Sequence, residues 1–325
     1  MARISAVPAL VALLALALAV FALALSMGSV AIDPGSVLRA LVAPGDDTQR
    51  AIVRELRLPR AVAAFASGGC LALAGALLQV LLRNALADPY VLGVSGGAAV
   101  GALSMMLAGA AAWLVSAGAF GGALASTLLV FGLARGAGAW SPTRLLLTGV
   151  VIAAGWGALV ALILSIAPEA QLRGMLFWLI GDLSAPPVAW STLGALALAM
   201  AAALPFARDL NAFARGEATA AALGVDVARL PWLLFALSAL LTAAAVTTAG
   251  AIGFVGLIVP HAVRLVVGND QRVLLPASAL AGGALLLLAD TLARQITAPA
   301  QLPAGVITAL VGVPVFLYLL RREQR

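Results

Sequence analysis

The chain has 325 residues, 63% of them hydrophobic and 10% charged, with a mean hydropathy of +1.11. Soluble domains carry about a quarter charged residues, so a water-soluble globular protein is excluded and a polytopic membrane protein remains. All 19 basic residues are arginine; a phosphate-binding loop of the G-x-x-x-x-G-K-[ST] type needs a lysine, so the chain is no P-loop ATPase by itself, and its net charge of +6 lies in arginines between apolar runs, which argues for membrane topology and against nucleic-acid binding.

A membrane span needs roughly 20 apolar residues to cross about 30 Å of hydrocarbon. Windows free of charge cover 4–32, 61–82, 89–134, 145–168, 183–207, 230–263, 273–289 and 295–320. The third holds two helices with a break near Gly109 to Trp113, and the sixth holds a full helix and a short one beyond Gly250. The prediction is an all-α polytopic membrane protein of ten transmembrane helices, a single domain over residues 1–325. The first apolar run exceeds the 7–15 residues of a signal-peptide core, so it reads as a retained span.

Ile32 to Leu58 reads as an outer loop that ends in the arginine-rich run 50–60. Spans two to five are rich in Ala and Gly, which allow the close backbone approach that packs helices in lipid. In the helix expected at 143–166, Gly149, Ala153 and Gly157 share one face, either as a packing stripe or as the wall of a subunit axis or pathway. Gln171 to Ser184 is too short to cross and reads as an interfacial or re-entrant helix. Cys70 lies inside an apolar run and His261 has no neighbouring His or Cys, so both read as structural and no metal site is expected.

The one sizeable polar interruption is Phe206 to Leu230, with Arg208, Asp209, Arg215, Glu217, Asp226 and Arg229. Glu217 to Leu223 has helical composition and Gly224 falls where a C-terminal cap would be. Counting arginines in alternate loops gives 12 on the side of this segment and 7 on the other, which places it and both termini in the cytoplasm. Ion-coupled transporters usually hold an acid inside the membrane. Here the acids fall in loops or at span ends, the deepest being Asp290, so energy has to come from a partner acting on residues 206–230. An ion-coupled secondary transporter of a small solute stands as the alternative, with a non-transporting assembly protein as a third class.

Several ordered runs carry a resemblance. Leu56-Arg-Leu-Pro-Arg60, Asn84-Ala-Leu-Ala-Asp-Pro-Tyr-Val-Leu-Gly-Val-Ser-Gly-Gly97, Gly216-Glu-Ala-Thr-Ala-Ala-Ala-Leu-Gly224, Gly250-Ala-Ile-Gly-Phe-Val-Gly-Leu-Ile-Val-Pro-His261, Ala289-Asp-Thr-Leu-Ala-Arg294 and Gly305-Val-Ile-Thr-Ala-Leu-Val-Gly-Val-Pro314 look like the signatures of the membrane subunits of bacterial ABC importers for ferric siderophores, heme and vitamin B12. The resemblance spans about Leu56 to Leu320.

It implies a type II ABC importer permease fold in the bacterial inner membrane: a homodimer of ten-helix subunits with two cytoplasmic ATP-binding subunits below and a periplasmic substrate-binding protein above. ATP and Mg would sit on the partner ATPase, with no cofactor on this chain. Arg215, Gly216, Glu217, Ala220, Leu223 and Gly224 match the ATPase-coupling helix. Arg57, Arg60 and Arg294 match outward-facing arginines that pair with glutamates of the binding protein. Asn84 and Leu86 match a cytoplasmic gate, with Ala85 where the family has proline, and Pro142 and Thr143 match a second constriction. Gly149, Ala153 and Gly157 would line the translocation pathway.

Overall fold

The computed structural model describes residues 6–28, 30–43, 48–134, 142–184, 188–296 and 301–323. Every regular element among them is helical. They are α1 Ala6–Ser26, α2 Pro34–Val42, α3 Thr48–Ala51, α4 Leu58–Leu81, α5 Val94–Leu107, α6 Ala112–Ala134, α7 Pro142–Ile166, α8 Glu169–Ile180, α9 Ala189–Ala203, α10 Ala207–Phe213, α11 Glu217–Ala222, α12 Leu230–Ala249, α13 Val255–Val267, α14 Gln271–Ile296 and α15 Ala304–Glu323. Among the described residues seven helical runs are long and apolar enough to cross a membrane, and Val94–Leu107, Val255–Val267 and Ala304–Leu319 are shorter apolar helices. The ten apolar helices match the ten expected, including the breaks at Gly109 and Gly250.

The segment expected as an outer loop up to Leu58 is largely helical. Asp33 caps α2 by accepting from the Ser36 N–H at 3.1 Å. After α3 a π-helical turn, Ile52–Arg57, leads directly into α4. Pro59 explains the wide turn: it has no N–H for the carbonyl four residues back and its ring would crowd that carbonyl, and an extra residue in the turn relieves both. Arg54 then ties the turn to the end of α2, its Nε donating to the Ala40 carbonyl at 2.9 Å.

Helix α4 is the hub of the bundle. In the run Thr48–Leu81, 94% of the most apolar stretch is buried inside the subunit, against 6% for α7. Backbone meets backbone along the hub: a methyl group at Gly68 would overlap the Gly282 carbonyl of α14, and one at Gly75 the Gly256 carbonyl of α13. Glycines 97 and 101 of α5 face glycines 122 and 118 of α6 in the same way. Such approach gains dispersion contact where lipid supplies no hydrophobic force between helices. Because α4 and α14 run antiparallel, the bundle has two distinct ends, one carrying Arg60 and Asp290, the other Gln79 and Gln271.

Candidate coupling surface, gate and outer arginine cluster

The polar interruption folds as α10, which continues the helical run from α9 through a 3₁₀ turn and buries Ala207, Leu210, Ala212 and Phe213, followed by the short α11. Gly216, with φ 125°, breaks α10 from α11. Glu217 opens α11, where a carboxylate favours the positive helix end. The helix closes as a Schellman motif: the Val225 N–H reaches the Ala220 carbonyl, the Gly224 N–H reaches that of Ala221, and Gly224 sits in the left-handed region at φ 83°. Ala220 is fully buried and roots the helix, whereas Leu223 is 66% exposed and Arg215 is exposed. Asp226 closes the return to α12 by accepting from the Ala228 and Arg229 N–H groups. The result is a small rigid helix with an apolar knob and charged flanks.

Beside it a polar cleft of about 600 Å³ is lined by the end of α4, by α10 and by the turn from α13 to α14. Asn211 clamps this turn, donating to Asp270 Oδ1 at 2.9 Å and accepting from the Gln271 N–H at 2.9 Å. The Asn211 hydrogen bond is the main reason the Asp270 carboxyl is held below its ordinary value of 3.8, with the Arg272 N–H and charge adding to it. On the other wall Arg264 donates to Gln79 Oε1 at 2.9 Å.

The residues expected at the gate form a folded-back turn. Asn84 Oδ1 accepts from the Leu86 N–H at 2.9 Å, an Asx turn that closes the chain around Ala85. Asp88 caps the 3₁₀ turn Pro89–Leu92 through the Tyr90 N–H. Tyr90 in turn accepts from the Ile252 N–H at 2.9 Å, fastening the turn to the interruption between α12 and α13. Trp156 of α7 donates to Ser126 Oγ, which donates to the Gly93 carbonyl, both at 2.8 Å. Leu86 is 38% exposed and Thr143 is exposed at the start of α7. Pro142 begins α7, and its side chain lies outside the described residues.

The stripe on α7 divides. Gly149 is buried against the Val91 carbonyl and the Ala153 backbone lies close to Gly93, so these two pack α7 onto the turn at Pro89–Leu92. Gly157 is exposed with open space around it.

Of the three arginines expected at the outer face, Arg57, Arg60 and Arg294, none projects as a free guanidinium. Arg57 is 6% exposed and caps α1, its Nη1 donating to the Leu25 and Ser26 carbonyls at 2.7 and 2.9 Å and its Nη2 to that of Val30. Arg60 is 8% exposed and forks onto Asp290, with a further bond to Gln301 Oε1 at 2.8 Å. Arg294 lies 3.3 Å from the same Asp290. The orphan carbonyls at the end of α1 and the buried carboxylate of Asp290 claim these donors within the chain.

The FecCD transport family matches residues 15–322. The chain belongs to the FecCD transport family. It is 45% identical over 285 residues to the cobalamin import system permease protein BtuC of Halobacterium salinarum, covering 86% of this chain and 76% of that one. It is 43% identical over 285 residues to the hemin transport system permease protein HmuU of Yersinia pestis, covering 83% and 84%. An inward-facing structure of a metal-chelate type ABC transporter superposes with a TM-score of 0.84 at 31% identity, covering 96% of this chain and 98% of that one. The protein is thus a multi-pass permease of the ABC type, a transport component that works with ATPase subunits.

Within this FecCD permease the segments singled out in the sequence, 217–224 and 84–86, fold as a capped helix and an Asx turn. The sequence did not point to Asn211, Tyr90 or Gln271, which join segments 60 to 162 positions apart. The local signal for Gln271 is Asp270, an Asx residue just ahead of an apolar helix, and for Tyr90 it is Asp88 ahead of Pro89.

Proposed function

We propose that this permease imports a large metal chelate, of the ferric siderophore, heme or cobalamin class, by alternating access driven by ATP. The observation that carries the reading is α11: a capped, rigid helix with Leu223 exposed, at the end of the bundle where another subunit can push. The chelates named for the cobalamin and hemin relatives support the cargo class. The mainly apolar faces of α7 and α15 offer such a cargo little to grip, which suits a conduit whose selectivity lies in a separate binding protein.

The working assembly is a homodimer with two cytoplasmic ATP-binding subunits and a periplasmic substrate-binding protein. An apolar α7 that is 6% buried in the subunit supports a second copy against it. ATP and Mg belong to the ATPase, and this chain holds no cofactor of its own. The arginine bias supports both termini in the cytoplasm and a place in the inner membrane. Arg57, Arg60 and Arg294 keep a role in docking through their local charge: Arg60 and Arg294 share the carboxylate of Asp290, while Arg57 is bound to backbone carbonyls and has no carboxylate within ion-pair distance among the described residues, and such a cluster favours an acidic partner.

Reconstitution in liposomes with the cognate ATPase and binding protein tests this. Chelate uptake should require hydrolysis; uptake that persists with a non-hydrolysing ATPase variant would overturn it.

A further inference from the structure

Helix α4 ends in a way that local energetics oppose. The Asn84 N–H bonds to the Gln79 carbonyl and the Arg83 N–H to that of Val80, a Schellman closure whose left-handed position is normally glycine. Here it is Arg83, at φ 48°. A non-glycine residue held in that region points to a use for its side chain. That side chain is exposed at the cleft described above, its guanidinium 6.0 Å from the centre of the Phe213 ring.

Arg83, Arg215 and Arg264 line the cleft, against the single carboxylate of Asp270, which Asn211 already holds. Arg264 is engaged by Gln79. Among the described residues neither Arg83 nor Arg215 has a carboxylate within ion-pair distance. Gln271, 2% exposed, also lines the cleft, and its Oε1 has no hydrogen-bond partner. A buried acceptor left in this way costs free energy until a donor arrives.

We infer that the cleft receives an acidic segment of the partner ATPase, with an Asp or Glu carboxylate between Arg83 and Arg215 and a polypeptide N–H supplied to Gln271 Oε1. This rests on the ATP-driven reading above and extends the contact beyond α11. Three observations favour a polypeptide occupant. The cleft adjoins α11 directly through Arg215, so one docked subunit covers both. Its volume of about 600 Å³ fits a loop tip and far exceeds a single ion. A fully deprotonated inorganic anion such as sulfate would satisfy the arginines and leave Gln271 without a donor. Charge-assisted bonds of this kind fix orientation, which a subunit pushing on a short helix requires.

The test measures binding of the purified cognate ATPase to the full-length permease in detergent, at low and high salt. Arg83→Gly is the informative variant, since glycine relieves the left-handed strain: the permease should melt at an equal or higher temperature yet bind the ATPase about tenfold more weakly, with a shallower salt dependence. Arg215→Ala should do the same and Arg83→Lys should recover part of the affinity. Affinity within twofold of wild type in Arg83→Gly and Arg215→Ala overturns the inference, as does sulfate binding to the isolated permease that competes with nothing on the ATPase. Failure of the unaltered permease to bind any ATPase, or loss of binding in Leu223→Asp alone, separates the two readings: the former removes the ATP-driven reading and this inference with it, while the latter leaves coupling at α11 and removes only the cleft.

Discussion

Arg60 and Asp290, 230 positions apart, meet as a fork in which the guanidinium Nη2 and Nε donate to the two carboxylate oxygens at 2.8 and 3.0 Å. Asp290 is 1% exposed and also faces Arg294. This ion pair locks the start of α4 to the far part of α14, and it accounts for the one acid the sequence places near the membrane interior. A carboxylate neutralised by two arginines is a poor coupling-ion site, which weighs against ion-driven transport.

Asp290→Asn leaves two buried guanidiniums without their counter-charge. Breaking one partner of a buried pair costs about 3–5 kcal/mol, so the detergent-solubilised permease should melt well below wild type. Asp209→Asn, on α10, should not shift the midpoint. Equal midpoints for the two variants would show that the fork is not structural.

Gly224→Val should impair coupling more than folding. At φ 83° a β-branched residue is strained, at about 1–2 kcal/mol for the left-handed conformation alone, and that cost falls on the closure of α11. Amide exchange of residues 217–223 should accelerate and ATP-dependent uptake should drop, with Gly224→Asn intermediate. Unchanged exchange in the valine variant would contradict the capping role.

Gly75→Val tests the hub. A side chain there runs into the Gly256 backbone, and overpacking of a tight interface costs about 1–3 kcal/mol or more. The yield of folded permease should collapse, whereas Gly194→Ala, with nothing near its added methyl, should express normally. Comparable yields would mean that α4 and α13 can separate at little cost.

Acid should loosen the cleft turn. Because Asn211 holds the folded-state pKa of Asp270 below its ordinary 3.8, the stabilisation is complete above that value and is lost as pH falls through the lower folded value. Asn211→Leu removes the main cause of the depression, so the wild-type advantage in melting temperature should be present at pH 6 and shrink below pH 4. A difference that stays constant from pH 6 to pH 3 would show that the carboxylate's charge plays no part.

Helix number, the breaks at Gly109 and Gly250 and the capped helix at 217–222 were legible in the sequence because each depends on local signals: hydrophobic run length, glycine and caps. The helical character of 48–57 was not, since its arginines look solvated in a linear reading, and only the carbonyls at the ends of α1 and α2 turn them inward. The neighbour of Gly149 was hidden for a related reason. A small-residue face records that something packs closely, but not whether the neighbour is a pathway, another subunit or, as here, the chain's own turn at Val91.

The glycine contacts along α4 carry a mechanical consequence. Where Gly68 meets Gly282 and Gly75 meets Gly256 the backbones touch directly, with little side-chain volume between them to absorb a change in spacing. Such a column resists being squeezed: bringing α4 closer to α13 or α14 drives backbone into backbone. The compliant surfaces are those with side chains still unburied within the subunit, α7 foremost. On the proposed coupling at α11, a thrust would reach this column as displacement of a whole block, with the column itself undeformed.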